Sequence, residues 1–259
     1  MSPRAPPSAM STRCRGTARR DAPGPVSPGD ARPLSFRVGS GPAVSGLLVR
    51  PRGALCVFVL AHGAGAGMRH PFMETMADLL AARAMATFRY QFPYLERGGR
   101  RPDSPALLQE TVRAATREAR RACRGLPMIA GGKSMGGRMT SLAAADGGLD
   151  DVLALVFLGF PLHPAGRPSA TRGAHLDRVR LPMLFVQGER DRLASPDRIE
   201  SLCGGLDRVT LHMIRDADHS FHVPRRSGRD DAAVLEEVAA TVASWSRRRC
   251  GRKPGTGDP

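Results

Sequence analysis

The chain has 259 residues, of which 41% are hydrophobic, and its formal net charge is +15. This length fits one α/β domain with a substantial core, and no apolar run is long enough to predict a transmembrane helix. Six arginines against two aspartates precede Pro33, and five basic residues against one aspartate lie from Arg247 onward. Since much of the charge lies in terminal segments without apolar periodicity, we expect no nucleic-acid partner.

The cysteines and the two ends of the chain indicate where the protein works. Five cysteines are scattered without any Cys-x-x-Cys pair, which favours a reducing compartment. The N-terminal region lacks the apolar stretch of a secretory signal. We therefore expect a cytoplasmic protein. Residues 1–33 are predicted to be a disordered Arg/Pro-rich leader, residues 34–248 a single α/β domain, and residues 249–259 a disordered basic tail.

From residue 34 onward, apolar residues follow strand spacing and helical spacing in turn. The predicted strands cover residues 34–38, 44–49, 55–61, 85–90, 128–130, 152–158, 183–187 and 209–214. The predicted helices cover residues 72–84, a long segment opened by Ser104-Pro105, 137–145, 196–203 and 230–245. This order predicts an α/β fold with a mostly parallel central sheet, an N-terminal antiparallel hairpin and helices on both faces.

One strand-to-helix junction carries a serine between glycines. Gly132, Ser134 and Gly136 fit the G-x-S-x-G pattern of a nucleophile elbow, a tight turn that exposes a serine hydroxyl above a sheet. The amide of Met135 directly follows the serine and is a candidate donor to an oxyanion. Lys133 precedes the serine and could bind an anionic substrate or point to solvent, of which the second is the expectation.

A second glycine-rich turn, residues 62–67, directly follows the strand at 55–61. Glycines allow the main chain to approach a reacting carbonyl closely, so this turn is predicted to supply the other oxyanion donor. The candidates are the amides of Ala64 and Gly65. His62 at the start of the turn is predicted to shape it, without a role in proton transfer.

The acid and the base of a triad are predicted after the last two strands. Asp191 follows the strand at 183–187, and His219 lies in the loop after the strand at 209–214. If these strands are parallel neighbours, both loops emerge at the edge of the sheet that bears Ser134. Asp197, Asp216 and Asp218 are rivals for the acid, of which the last two lie close to His219 in sequence. The order serine, aspartate, histidine is that of α/β-hydrolases.

Other kinds of site fit the residues poorly. A dinucleotide loop needs a third glycine where Met68 stands, and a Walker A loop needs a glycine where Pro127 stands. His219 and His222 could form a metal pair, but no third ligand lies at a sensible spacing. We therefore expect no metal and no cofactor.

Five segments together resemble small single-domain α/β-hydrolases of the dienelactone-hydrolase-like group, on the branch similar to the testis-expressed and KANSL-type hydrolase-like proteins of animals. They are His62–Gly67, Gly132–Gly137, Phe160–Pro164, Gln187–Asp191 and Asp218–Phe221. The resemblance covers about Phe36 to Trp245 and implies that the predicted domain of residues 34–248 is an α/β-hydrolase domain. Dienelactone hydrolase itself has a cysteine nucleophile, so its particular reaction does not carry over to Ser134.

The resemblance and the residues predict a serine hydrolase that cleaves a small carboxylic ester or related acyl bond through a covalent acyl-enzyme. The connection between residues 158 and 183 is too short for the helical lid of many lipases, so an open site without a large lid is expected. Some animal relatives serve as subunits of larger complexes, and a catalytically silent interaction module is the alternative. The sequence leaves the oligomeric state undetermined.

Overall fold

A computed structural model describes residue 1 and residues 31–164, 166–167, 169 and 171–251. Eight strands form one sheet in the order β1-β2-β4-β3-β5-β6-β7-β8. Pairs β1–β2 and β2–β4 are antiparallel, and every other neighbouring pair is parallel. The strands are β1 Arg32–Arg37, β2 Ala43–Val49, β3 Cys56–Ala61, β4 Met85–Tyr90, β5 Met128–Lys133, β6 Val152–Leu158, β7 Met183–Gly188 and β8 Val209–Ile214.

Six α-helices and two 3₁₀ helices surround this sheet in the described part of the chain. The α-helices are α1 Pro71–Ala81, α2 Pro93–Glu96, α3 Pro105–Ala122, α4 Met135–Ala145, α5 Pro196–Gly204 and α6 Asp231–Cys250, and the 3₁₀ helices are Thr171–Arg178 and Arg225–Ser227. Several helices begin as their sequences predict. Ser104 caps α3 by accepting a hydrogen bond from the Leu107 amide, and Pro105 occupies the first turn.

The predicted fold class is confirmed: the sheet is mostly parallel, its antiparallel strands come from the N-terminal part, and helices cover both faces. Strand β1 begins at Arg32 and helix α6 continues to Cys250, each two residues beyond the predicted bounds of 34–248. The rest of the predicted leader and tail, residues 2–30 and 252–259, lies outside the described residues. The short helix α2 and the 3₁₀ helix Thr171–Arg178 had no counterpart in the prediction.

The sheet separates two apolar layers. On one face α3 and α4 cover a cluster that includes Phe88, Phe157 and Phe185. On the other face α1 and α6 cover a cluster that includes Phe58 and Trp245. The central strand β3 is buried on both faces, as its continuous apolar run predicts, and the neighbouring β4 is buried as well. None of the described helices is both long enough and apolar enough to cross a membrane.

The parallel register brings several loops to one edge of the sheet. Ala61 at the end of β3 pairs with Gly132 of β5, so the glycine-rich turn after β3 lies beside the elbow. Gly188 at the end of β7 pairs with Ile214 at the end of β8. Strand order also reverses around β3, which has β4 on one side and β5 on the other. In open parallel sheets, such a reversal leaves a crevice at the carboxyl ends of the strands, where ligands bind.

Candidate active site

Ser134 stands at the apex of the turn between β5 and α4. Its backbone has φ 50° and ψ −116°, a conformation that is strained for a residue with a Cβ atom. The surrounding strands impose this turn, since the Ser134 amide donates to the Leu158 carbonyl oxygen. A Cβ atom on Gly136 would lie 2.6 Å from the carbonyl oxygens of Ala61 and His62, so this flank of the turn needs glycine.

Ser134, His219 and Asp191 form a continuous hydrogen-bonded line. His219 Nδ1 lies 2.7 Å from Asp191 Oδ2, and His219 Nε2 lies 2.8 Å from Ser134 Oγ. Because an ionised carboxylate only accepts hydrogen bonds, Nδ1 carries the proton and Nε2 is free to accept from the serine hydroxyl. The Asp191 side chain is fully buried, whereas a quarter of the His219 side chain is exposed. This is the arrangement of a serine nucleophile, a general base and an orienting acid.

Two further donors hold the Asp191 carboxylate. Gln187 Nε2 donates to Oδ2 at 2.6 Å, and the Leu193 amide donates to Oδ1 at 2.8 Å. The Gln187 side chain also accepts from the Phe160 amide at 2.8 Å, so it links β7 to the loop after β6. Sequence reasoning gave Gln187 no role. A polar residue at the buried end of a strand, four positions before the acid, is the signal that could have found it.

The rival acids have local partners. Asp218 Oδ1 accepts from the amides of Ser220 and His222 and so closes the turn that carries His219. The Asp216 carboxylate lies against Arg215 at 3.7 Å. His222 pairs with Asp231 at 2.8 Å, which raises the pKa of His222 through that hydrogen bond and charge. In the described residues no group of three His, Cys, Asp or Glu side chains could hold a metal ion.

The three candidate oxyanion donors differ in their availability. The amides of Met135 and Ala64 donate to no other group in the described structure, and both residues line the cleft in front of Ser134. The Gly65 amide instead donates to the Tyr94 hydroxyl at 3.0 Å. That bond occupies the single N–H of Gly65, so the geometry favours Ala64 over Gly65 as partner of Met135.

His62 is fully buried and bridges two backbone groups. Its Nδ1 donates to the Gly63 carbonyl oxygen at 2.7 Å, and its Nε2 accepts from the Phe92 amide at 3.1 Å. These partners fix a neutral ring with the proton on Nδ1. Burial lowers the pKa of His62 to about 4, in line with that tautomer. Since both nitrogens are engaged, the ring holds the turn in shape, as its position in sequence predicts.

The expectation that Lys133 points to solvent is wrong. Its Nζ atom donates to the carbonyl oxygen of His219 at 2.6 Å and lies 5.4 Å from the centre of the Phe221 ring and 5.9 Å from that of Phe72. Burial lowers the pKa of Lys133 to about 8, while the charges of Asp191 and Asp218 act in the opposite direction. The spacing of the sequence could not reveal this contact, because the carbonyl comes from a loop 86 residues further along the chain.

A second serine–histidine contact lies away from the sheet edge. Ser141 Oγ of α4 is 2.7 Å from His175 Nε2 in the 3₁₀ helix Thr171–Arg178, and it also donates to the Arg138 carbonyl oxygen. Both side chains are buried. No carboxylate is bonded to His175 in the described structure, and burial lowers its pKa to about 4. This contact fastens the 3₁₀ helix to α4 and lacks the orienting acid of a triad.

A cleft with a volume of about 450 Å³ opens in front of Ser134. Apolar side chains such as Leu108, Met139 and Leu193 line part of it, and two arginines, Arg138 and Arg172, also face it. The connection from Leu158 to Met183 contains only the 3₁₀ helix between its described residues, and no longer helix covers the cleft from there. The site therefore has a serine with its hydrogen-bonded base, two free backbone donors and room for a small molecule.

Comparison with known proteins agrees with this geometry. Residues 54–247 match the family described as an alpha/beta hydrolase domain. A dienelactone hydrolase from Anabaena variabilis superposes with a TM-score of 0.67 at 23% identity, over 85% of this chain and 97% of that one. Est1E from Butyrivibrio proteoclasticus with bound ferulic acid gives a TM-score of 0.69 at 15% identity, over 85% and 100%. XC6422 from Xanthomonas campestris, an α/β serine hydrolase without a lid, gives 0.65 at 20% identity, over 90% and 100%.

Proposed function

The chain belongs to the family of alpha/beta hydrolase domains, and on this premise we propose that it is a serine hydrolase that cleaves a small carboxylic ester or a related acyl bond. The observation that carries the proposal is the unbroken line from the Asp191 carboxylate through the His219 ring to the Ser134 hydroxyl, with separations of 2.7 and 2.8 Å. Such a line gives a weakly nucleophilic hydroxyl the base that it needs.

In the first half of the reaction, Ser134 Oγ attacks the acyl carbon of the substrate while its proton passes to His219 Nε2. Asp191 keeps the ring in the reactive tautomer and stabilises the imidazolium that forms. The tetrahedral intermediate then collapses: the bond to the leaving group breaks, and the leaving oxygen takes the proton from Nε2. An acyl-serine remains on the enzyme.

The negative charge of the tetrahedral intermediate needs preorganised donors. The amides of Met135 and Ala64 have no other acceptor in the described structure and face the same cleft. The N-terminus of α4 begins at Met135 and adds the positive end of its dipole. Because a ground-state carbonyl carries less charge than an oxyanion, these donors stabilise the transition state more than the bound substrate.

Water completes the cycle. His219 Nε2 takes a proton from a water molecule, the hydroxide adds to the acyl carbon, and Ser134 leaves with the proton returned by His219. The products are a carboxylic acid and the alcohol, or other leaving group, of the substrate. The open cleft favours small or extended acyl compounds over substrates that must be enclosed by a lid. A cytoplasmic location and the narrower kinship with testis-expressed and KANSL-type proteins stay predictions.

A panel of p-nitrophenyl esters with acyl chains of increasing length tests the proposal. We expect saturable turnover by the wild-type protein with a maximum at short or medium chains, and background rates for Ser134→Ala. Equal rates for the two proteins would exclude a serine mechanism. If a well-folded wild-type protein turned over no member of the panel and recovered a stoichiometric partner in a pull-down, the alternative of a silent interaction module would be favoured.

A further inference from the structure

Two positive side chains in the Ser134 cleft have no counterion among the residues that the structure describes. Arg138 and Arg172 both face the cleft, and neither forms an ion pair or a side-chain hydrogen bond with any residue that the structure describes. The Nε atom of Arg138 is buried and has no acceptor. A buried donor without a partner costs free energy, and such groups in native structures call for an explanation.

The position of Arg138 does not serve the stability of the fold. It lies in the first turn of α4, where the positive end of the helix dipole disfavours a cation. Burial lowers the pKa of Arg138, and the positive charge of the nearby Arg172 lowers it further. Two guanidinium groups that repel each other and lack acceptors are an arrangement that an anion would stabilise.

The charged side chains that line the cleft sum to a positive charge. Asp103 is its one lining carboxylate: its Oδ1 pairs with Arg97 at 2.5 Å, whereas its buried Oδ2 has no hydrogen-bond partner among the described residues. Arg138 and Arg172 outnumber this carboxylate, so an anion on their side of the cleft is still favoured. The guanidinium group has a planar fork of N–H donors that matches the two oxygens of a carboxylate. Leu108, Met139 and Leu193 line the same cleft and suit an uncharged carbon skeleton.

We propose that Arg138 and Arg172 form a carboxylate-binding subsite in the Ser134 cleft, and that the preferred substrates are esters or related acyl compounds that carry a carboxylate besides the scissile bond. The inference rests on the proposed hydrolase function for its account of substrates. The binding of a carboxylate beside Ser134 does not depend on turnover. The two statements can therefore be tested separately.

The kinetic test uses substrates that differ only in charge. Mono-p-nitrophenyl adipate is compared with p-nitrophenyl hexanoate for an anion on the acyl side, and 4-acetoxybenzoate with 4-acetoxybenzamide for an anion on the leaving group. We expect at least one anionic substrate to have the larger kcat/KM in the wild-type protein. In Arg138→Met and Arg172→Met, this preference should fall by roughly tenfold to a hundredfold, the usual value of a charge-assisted hydrogen bond.

A matched control removes one positive charge elsewhere. Arg37 is exposed on β1, the strand at the far edge of the sheet, and Arg37→Met should keep the preference of the wild-type protein. If Arg37→Met lost the preference as strongly as Arg138→Met, general attraction by a basic protein would explain the effect and the subsite would be refuted. Equal kcat/KM values for charged and neutral substrates in the wild-type protein would refute it as well.

A binding measurement decides the case if no ester is turned over. Titration of adipate into Ser134→Ala, followed by calorimetry, should give binding that disappears when Arg138→Met is added. That result without any turnover would support the subsite while the hydrolase proposal failed. Turnover of esters without a preference for the charged ones would support the hydrolase proposal and refute the subsite. Adipate binding that is absent, or that survives in the double variant, would overturn the subsite in a protein without turnover.

Thermal unfolding of Arg138→Met should occur at or above the wild-type temperature, because the Arg138–Arg172 repulsion is removed.

Discussion

The Nζ atom of Lys133 donates a hydrogen bond to the carbonyl oxygen of His219 at 2.6 Å. The residue before the candidate nucleophile thus holds the backbone of the candidate base. Ser134 and His219 come from strands at different positions in the sheet, and their separation of 2.8 Å depends on both loops. Lys133 therefore links the loop of the candidate base directly to the turn of the candidate nucleophile.

Lys133→Met should lower kcat by roughly 10-fold to 100-fold with a smaller change in KM, because a slightly misplaced base slows proton transfer more than substrate binding. Steady-state kinetics on the preferred ester measures the effect. The only other lysine is Lys253, so Lys253→Met is the matched control and should retain the wild-type kcat. A Lys133→Met enzyme with the wild-type kcat would show that this contact does not position His219.

The pKa of the Lys133 ammonium can be measured directly, since the chain has two lysines. Selective ¹³C-lysine labelling of the Lys253→Arg variant leaves one Cε signal. We expect its chemical shift to titrate with a midpoint near pH 8, because burial disfavours the charged form. A midpoint near the ordinary lysine value of 10.5 would indicate that the amine is as well solvated as a surface group.

Asp191→Asn should lower kcat by up to about 10⁴-fold, the size of the same change in a serine protease, because the amide favours the wrong imidazole tautomer. Asp218→Asn is the matched control. Its remaining side-chain oxygen can still accept from the amides of Ser220 and His222, so the turn survives and the effect should be small. A near-normal kcat for Asp191→Asn would leave the Ser134–His219 pair in need of another acid.

Gln187→Met should reduce both stability and kcat, although its volume is nearly conserved. The Phe160 amide would lose its acceptor in a buried place, which costs about 1–3 kcal/mol in the free energy of unfolding. Asp191 would lose one donor and gain freedom to move. Urea unfolding and kcat measure the two effects, and Gln109→Met on α3 serves as the control. A kcat equal to that of the control would confine Gln187 to a structural role.

His62 should make stability depend on pH below neutrality. Its pKa is about 4 in the folded protein against 6.5 ordinarily, so the unfolded chain binds the proton first as the pH falls. The contribution of His62 is fully present above pH 6.5 and should shrink by about 3 kcal/mol toward pH 4. The difference in free energy of unfolding between wild-type and His62→Gln isolates this change. A difference that stays constant across the range would contradict a buried neutral ring.

The sequence was sufficient to predict the fold class, and the site residues that it predicts lie together at the carboxyl edge of the sheet. Strands β4, β6 and β8 have the predicted bounds: β6 is a continuous apolar run, and β4 and β8 interleave apolar with polar residues at strand spacing. Helix α2 has four residues, too few to show a helical period. It carries Tyr94, whose hydroxyl accepts a hydrogen bond from the Gly65 amide. This bond leaves the Ala64 amide, and not the Gly65 amide, available to an oxyanion. No local pattern contains that information.

The errors at the site share one physical cause. Lys133 and Gln187 act through backbone and side-chain groups that lie on other loops, and only the folded sheet brings those partners within reach. A charged residue next to a predicted turn suggests a solvated side chain by default, because most lysines are exposed. The parallel strands β5 to β8 end at the same edge of the sheet, so the loop after β8 comes within reach of Lys133 at the end of β5. The lysine therefore binds this loop and does not extend into solvent.

Covalent labelling of Ser134 tests the central claim most directly. A fluorophosphonate probe reacts with a serine that a base has activated, and intact-mass analysis counts the adducts on each chain. We predict one adduct on the wild-type protein, one on Ser141→Ala, whose serine contacts His175 without an acid, and none on Ser134→Ala. A folded wild-type protein without an adduct, or an adduct that persists in Ser134→Ala, would contradict the assignment of Ser134 as the nucleophile.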